Sequence, residues 1–306
     1  MKPDISVIIP NYNCKAYIGK ALASVIKQTN VDVEIIVIDD GSTDGSVEWL
    51  EKAQQTYKHL VLIKQAQCGV VAARNKAIAH AKADYVAFLD ADDYWSEDKL
   101  SNQLAFMKSN PTCTLSFTNY MHVDEQYEQI IDCFSYWPEF YKKPLEESTH
   151  YQLLNKGQDL LLYANVIGTS TVMVDKSAII NIDCFDGKLK SASDWDCWLK
   201  LASAGEVAYT YQCAMNYLMR SDSITSNRIK RIDAMKLILN RFINNNKVSW
   251  LTQLKAGARL NECYGEYHRE MGQKIPALVS ATKAFMLYPH KRNLRHLLHD
   301  LKNLTA

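Results

Sequence analysis

The chain has 306 residues, 47% hydrophobic and 23% charged, ordinary values for one large globular domain or two smaller ones. No apolar run reaches the length of a membrane span, and no basic segment with an apolar core opens the chain, so neither span nor leader is read and a cytoplasmic location is expected. The net charge of +1 is uneven, because residues 227–306 carry 15 Lys and Arg against 5 Asp and Glu, or +10, and leave the remainder at −9.

The first 110 residues alternate strand and helix patterns. Residues 5–10 form a short apolar strand ending at a proline, and 15–28 show helical spacing through Ile18, Leu22, Val25 and Ile26. A second buried strand spans 34–40, a helix 44–57 and a third strand 60–64. An Ala-rich helix follows over 70–81, then a fourth strand over 85–90. The next helix, 96–107, opens on Ser96-Glu97-Asp98, read as a cap and an acidic first turn. Alternation of this kind predicts a largely parallel sheet with helices on both faces.

Residues 113–123 read as a strand and 126–150 as a long aromatic and acidic loop, a length often given to lids and binding loops. Residues 151–163 look helical, 169–174 strand-like, 195–204 helical and 207–218 strand-like. From 229 onward the pattern is helical, punctuated by Gly265, Gly272, Pro276 and Pro289. The eight cysteines are scattered without a CxxC pair, which suits reduced thiols and argues against a disulfide framework or structural zinc.

The chemistry concentrates in a few places. In 85–95, YVAFLDADDYW, an apolar strand drives into Asp90, Asp92 and Asp93. Three acids at the end of a buried strand are costly without a cation. Carboxylate oxygens suit Mg²⁺ or Mn²⁺ whose other ligands are phosphates, so a metal-diphosphate site competes with a solvated acidic turn. Asn11, Asp39, Asp40, Asp90 and Asp92 all fall at strand carboxyl ends, where ligands bind in such sheets. Asp39 can accept from a base or ribose, and Arg74 can reach a phosphate, although each has a local turn or ion pair as alternative. Asp194 opens a helix in SASDWDCWL, either as a cap or as a base aimed into a cleft. A helix start favours the charged carboxylate and weakens it as a base unless burial offsets the dipole. Trp195 and Trp198 could offer apolar faces to a sugar ring or pack in the core; Trp195 is read as the acceptor or sugar contact, and core packing is preferred for Trp198. Arg220 opens RSDSITS, a diphosphate loop or a polar linker.

Together these segments resemble the inverting family 2 glycosyltransferases of bacterial GT-A type. The resemblance rests on ISVIIPNYN (5–13), EIIVIDDGSTDGS (34–46), GVVAARNKAI (69–78), YVAFLDADDYW (85–95), GTSTVMVDK (168–176) and SDWDCWLKL (193–201), in family order. It implies a GT-A, Rossmann-like, mostly parallel sheet flanked by helices. Residues 1–110 would be the nucleotide-sugar half, 111–226 the acceptor half and 227–306 a basic helical extension. Pro10, Asn11 and Tyr12 would border the base, Asp39 would read it, Arg74 would hold the nucleotide and Asp90 would lie near the ribose. Asp92 would ligate Mn²⁺ or Mg²⁺ on the diphosphate, and Asp194 would be the catalytic base. Two departures stand out: Ser193 replaces the usual Glu, and Arg220 stands where many relatives carry His.

The implied reaction is transfer from a nucleotide-diphosphate sugar, most often a UDP-sugar, to a hydroxyl of a glycan or lipid-linked acceptor with inversion, in cell-surface polysaccharide synthesis. A sugar nucleotidyltransferase would open with a Gly-rich basic loop, but Pro10-Asn11-Tyr12-Asn13 occupies that place. A non-catalytic nucleotide-sugar-binding module is the other alternative. The basic tail suggests peripheral contact with an anionic membrane, or only a solvated helical face. No readout module for nucleic acid accompanies it.

Overall fold

The computed structural model describes residues 2–137, 139–140, 150–220, 228–245 and 248–305. In chain order they form β1 (Ile5–Asn11), α1 (Lys15–Ile26), β2 (Val33–Asp39), α2 (Ser46–Thr56), β3 (Leu60–Lys64), α3 (Val70–His80), β4 (Tyr85–Phe88), β5 (Tyr94–Trp95) and α4 (Lys99–Ser109). There follow β6 (Cys113–Val123), β7 (Gln129–Asp132), β8 (Gln152–Leu153), α5 (Gly157–Tyr163), β9 (Met173–Asp175), α6 (Lys176–Asn181), α7 (Ser193–Ala204) and β10 (Glu206–Leu218). The chain continues in α8 (Arg228–Asn245), α9 (Trp250–Glu270), α10 (Lys274–Leu287) and α11 (Lys291–Thr305).

Two compact units emerge. The first comprises Met1–Asn155, Val166–Gly187 and Ser193–Ser221, and the second Lys156–Asn165, Lys188–Ala192 and Asp222–Ala306. Residues 1–110 and most of 111–220, apart from 156–165 and 188–192, thus build one body around one sheet. Its strand order is β3-β2-β1-β4-β9-β6-β10-β5, with β7 on β6 and β8 on β10. Strands β3, β2, β1 and β4 pair in parallel. Strand β9 runs antiparallel to both β4 and β6, and β10 runs parallel to β6. The long strands therefore share one direction, and β9 is the reversed strand between them.

The sequence accounts for this layout. Val7, Ile8 and Ile9 in β1, Ile35–Ile38 in β2 and Val86, Ala87 and Phe88 in β4 are buried on both faces, as parallel strands between helical layers require. In-register pairing sets Asn11 beside Asp39 at the carboxyl ends of β1 and β2.

Four local expectations change. Residues 169–171 form a 3₁₀ turn, and the strand begins only at Met173. The stretch expected as one helix over 151–163 splits into β8 and α5. Helix α4 starts at Lys99 with no side-chain cap bond, because Ser96 Oγ donates to Asp98 Oδ1 (3.1 Å) instead. Gly265 lies inside α9, and Pro276 inside the first turn of α10, where the missing N–H needs no partner.

In the second unit α9 packs on α5, α8 and α10, and α10 packs on α11. Ser249 caps α9 by accepting from Thr252 N at 3.1 Å. Ion pairs tie the helices together: Arg228 to Glu266 (3.1 Å) and Glu270 (2.7 Å), Arg292 to Glu262 (2.9 Å) and Arg269 to Asp300 (2.7 Å), while Arg259 pairs with Glu262 (2.7 Å) within α9. Among the described residues no helix is long and apolar enough to cross a membrane.

Candidate active site at the carboxyl ends of the strands

The loops after β1 and β2 are stapled to each other. Asn11 Nδ2 donates to Asp39 Oδ2 (2.7 Å) and to Ser42 Oγ (3.2 Å), and Asp39 Oδ1 accepts from the Gly41 and Ser42 amides (3.2 and 2.9 Å). The Asn13 amide donates to Ser42 Oγ (3.0 Å), and Asn13 Oδ1 accepts from Thr43 N (2.8 Å). Asp39 is buried and shapes the 41–42 turn in this structure. Pro10 is half-buried, and Tyr12 is 44% exposed just beyond the strand end.

Asp40, which the sequence places at the ligand edge without a specific role, is a second buried anchor. Its carboxylate accepts from Gln65 Nε2 and from the amides of Cys68 and Gly69, all at 2.8 Å. Gly69 adopts φ +90° as it turns toward Asp40 and into α3, a conformation that favours glycine. Helix α3 then delivers Arg74, whose guanidinium pairs with Asp90 Oδ1 at 2.6 Å. Two residues expected to contact a nucleotide separately are thus joined to each other. Buried Asn11 Oδ1 and Arg74 Nε have no hydrogen-bond partner among the described residues.

The turn at 168–171 organises the rest of the site. Ser170 Oγ accepts from the Asp90 amide (2.9 Å) and donates to Asp93 Oδ2 (2.6 Å). Its carbonyl accepts from Trp95 Nε1 (2.6 Å). The neighbouring Thr169 Oγ1 donates to Asp194 Oδ2 at 3.2 Å. Two acidic clusters about a hundred positions apart in the chain therefore meet at two consecutive residues. A side chain at Gly168 would place its Cβ 3.1 Å from Tyr120 Cε1, so the turn packs closely on β6. Residues expected as a plain strand carry these contacts, and the hydroxyl run Thr169-Ser170-Thr171 was the available signal.

Asp93, for which the sequence suggested only local charge, is a buried tether. Besides Ser170, it accepts from the Leu218 amide at 3.2 Å and so links the acidic loop to the end of β10. Burial, and then the negative charges of Asp92 and Asp90, push its carboxyl well above the usual carboxylate range. Asp93→Asn keeps one oxygen for the Leu218 amide but turns an NH2 group toward Ser170 Oγ, which must give up its donated bond, so it should cost about 1 kcal/mol of stability. Asp93→Ala, which strands the Leu218 amide and the Ser170 hydroxyl, should cost about 2–3 kcal/mol. Denaturant melts of both variants check this difference.

Asp92 is half-buried and paired. Its carboxylate lies 3.2 Å from Arg220 NH2, and Arg220 also stacks over the Tyr17 ring at 4.8 Å. Residues 221–226 of the RSDSITS segment and 141–149 of the long aromatic and acidic loop lie outside the described residues. Among the described residues no cluster of three or more His, Cys, Asp or Glu forms a metal site. A single accessible carboxylate nonetheless fits Mg²⁺ or Mn²⁺ in a site completed by substrate phosphates and water.

Asp194 sits in the first turn of α7, where its own Oδ1 accepts from the Trp195 amide at 2.8 Å. Trp195 does not behave as expected. It is 2% exposed, so its indole fills the interior and presents no face to a sugar. Trp198 is buried as anticipated and packs against Phe88 and Phe185.

Comparison with known proteins places this arrangement. The fold superimposes on Staphylococcus aureus TarS residues 1–349 in complex with UDP-GlcNAc, with TM-score 0.64 and 20% identity over 98% of this chain and 80% of that one. It also matches the mannosyltransferase PcManGT of Pyrobaculum calidifontis, in complex with GDP-Man and Mn²⁺, with TM-score 0.63 and 17% identity over 100% and 81% of the two chains. The architecture is that of the GT-A glycosyltransferases. The glycosyl transferase family 2 model matches residues 6–167. The putative teichuronic acid biosynthesis glycosyltransferase TuaG of Bacillus subtilis is 35% identical over 231 residues, covering 75% of this chain and 84% of that protein. The Escherichia coli UDP-Glc:α-D-GlcNAc-diphosphoundecaprenol β-1,3-glucosyltransferase WfaP is 33% identical over 230 residues, covering 74% and 82%. The chain belongs to glycosyl transferase family 2 and is a glycosyltransferase.

Proposed function

We propose that the protein transfers a sugar from a nucleotide-diphosphate donor, a UDP-sugar, to a hydroxyl of a glycan or lipid-linked acceptor, with inversion, during cell-surface polysaccharide synthesis. The observation that carries the reading is the 169–170 turn, which fixes Asp194 and the Asp90–Asp93 loop to adjacent residues. A base and a diphosphate-facing loop held by one turn suit a single displacement at an anomeric carbon. The names of TuaG and WfaP support the polysaccharide setting, and that of WfaP a UDP donor with a lipid-linked acceptor.

In this reading Pro10, Asn11, Tyr12 and Asp39 border the base at the ends of β1 and β2. Asn11 Oδ1 and Arg74 Nε, buried without a hydrogen-bond partner among the described residues, support a nucleotide contact there, and Asp90 would face its ribose. Asp92 would hold Mn²⁺ or Mg²⁺, which when bound supplies charge neutralisation on the diphosphate. Asp194 removes the proton from the acceptor hydroxyl as that oxygen attacks the anomeric carbon. The bond from that carbon to the diphosphate oxygen breaks, and Arg220 is the protein's own countercharge for the departing group.

A thermal-shift panel tests the donor. UDP with Mn²⁺ should raise the melting temperature more than GDP or CDP does. A ligand at a hundredfold excess over its Kd stabilises the native state by about 2.7 kcal/mol. No shift with any nucleotide or nucleotide sugar would sink the reading.

A further inference from the structure

The last helix is amphipathic in the wrong direction for a helix that only completes a bundle. A surface helix normally turns its apolar stripe to the core. The buried residues of α11 are instead polar: Asn293, whose Nδ2 donates to Tyr288 O (2.9 Å), and Asp300, which is 3% exposed and paired with Arg269. Its leucines face outward, with Leu294, Leu298, Leu301 and Leu304 exposed by 40–57%. At about 100° per residue the first three share one stripe, Leu304 lies beside it, and exposed Lys291, Arg295 and Lys302 line its flank. Helix α10 repeats the theme, with exposed Ile275, Val279 and Met286 beside exposed Lys274 and Lys283.

We propose that the leucine stripe of α11, with its basic flank, docks on an anionic lipid bilayer surface, the helix lying in the headgroup plane. Charge selects this occupant over a second copy of the chain. Residues 271–305 contain six Lys and Arg and one acid, Asp300, which is buried and already neutralised. Self-pairing of α11 would bring cationic flanks together with no displayed acid to compensate, whereas an anionic leaflet answers both the leucines and the cations. The inference needs no nucleotide and stands apart from the transfer reading.

Vesicle co-sedimentation of the full chain tests it. The protein should pellet with phosphatidylcholine vesicles containing phosphatidylglycerol, remain in solution with phosphatidylcholine alone, and be released by high salt. Arg295→Ala with Lys302→Ala should weaken binding about 25-fold, from roughly fivefold per surface charge. Leu298→Glu with Leu301→Glu should abolish binding while the melting temperature and its response to UDP persist. Equal pelleting of the leucine variant, or no pelleting of the native chain on anionic vesicles, would overturn the proposal. A dimer that depends on Leu298 and Leu301 in sedimentation velocity, without vesicle binding, would also overturn it and mark the stripe as a self-contact.

Discussion

Asp194→Asn is expected to lower kcat by about 10²–10⁴-fold, the usual contribution of a general base, equivalent to about 3–5 kcal/mol of barrier. The substitution is nearly silent structurally. Asparagine keeps an oxygen for the Trp195 amide, and its Nδ2 can donate to Thr169, whose hydroxyl reverses. Fold and donor affinity should therefore survive, and the loss should fall on turnover. Ser193 sharpens the result, because no neighbouring carboxylate at that position can substitute for the lost base. The measurement is single-turnover transfer beside UDP titration by calorimetry. Unchanged turnover would place the base elsewhere, and lost UDP binding would make Asp194 a structural residue.

Much of residues 1–110 was legible because its signals are local. Buried β-branched runs mark β1, β2 and β4, and the polar residue after each run marks the ligand edge. What escaped depended on side chains far apart in sequence. The partnership of Arg74 with Asp90 and the anchoring of residues 68–69 by Asp40 are tertiary contacts that no periodicity encodes. Asp93 looked like surplus charge because its tethers, Ser170 and Leu218, lie 77 and 125 residues away. Trp195 failed as a sugar contact for a related reason. In the first turn of a helix, adjacent side chains point about 100° apart, so an accessible Asp194 implies little about its neighbour. Residues 169–171 show the opposite error, in which β-branched threonines resembled a strand but their hydroxyls served a turn.

The helical extension was legible as helix and as charge, but not as surface. Composition located the +10 in residues 227–306, yet much of the acid there is consumed by ion pairs within the unit. Which face of α11 turns outward followed from Asn293 and Asp300 being its buried anchors, an inversion that hydropathy alone would have assigned to the leucines.

Asp92→Asn should reduce transfer by about 10²–10³-fold, the scale set by removing one preorganised electrostatic group, and should erase its response to Mn²⁺. Asp92 and Arg220 pair at 3.2 Å. A diphosphate entering here meets a carboxylate that repels it and a guanidinium that attracts it. The carboxylate would be tolerable there if a bound cation offset its charge, and Arg220 alone cannot both hold Asp92 and fully engage the leaving group. Removing the charge at Asp92 should thus release Arg220 to the diphosphate. UDP binding without metal should tighten in Asp92→Asn even as metal-stimulated turnover disappears. Arg220→Ala should behave oppositely, weakening UDP binding without metal while keeping the stimulation by Mn²⁺. UDP titrations with and without EDTA, paired with transfer assays across a Mn²⁺ series, separate the two. Full Mn²⁺-stimulated turnover in Asp92→Asn would remove Asp92 from the metal site and leave Arg220 as the principal diphosphate cation.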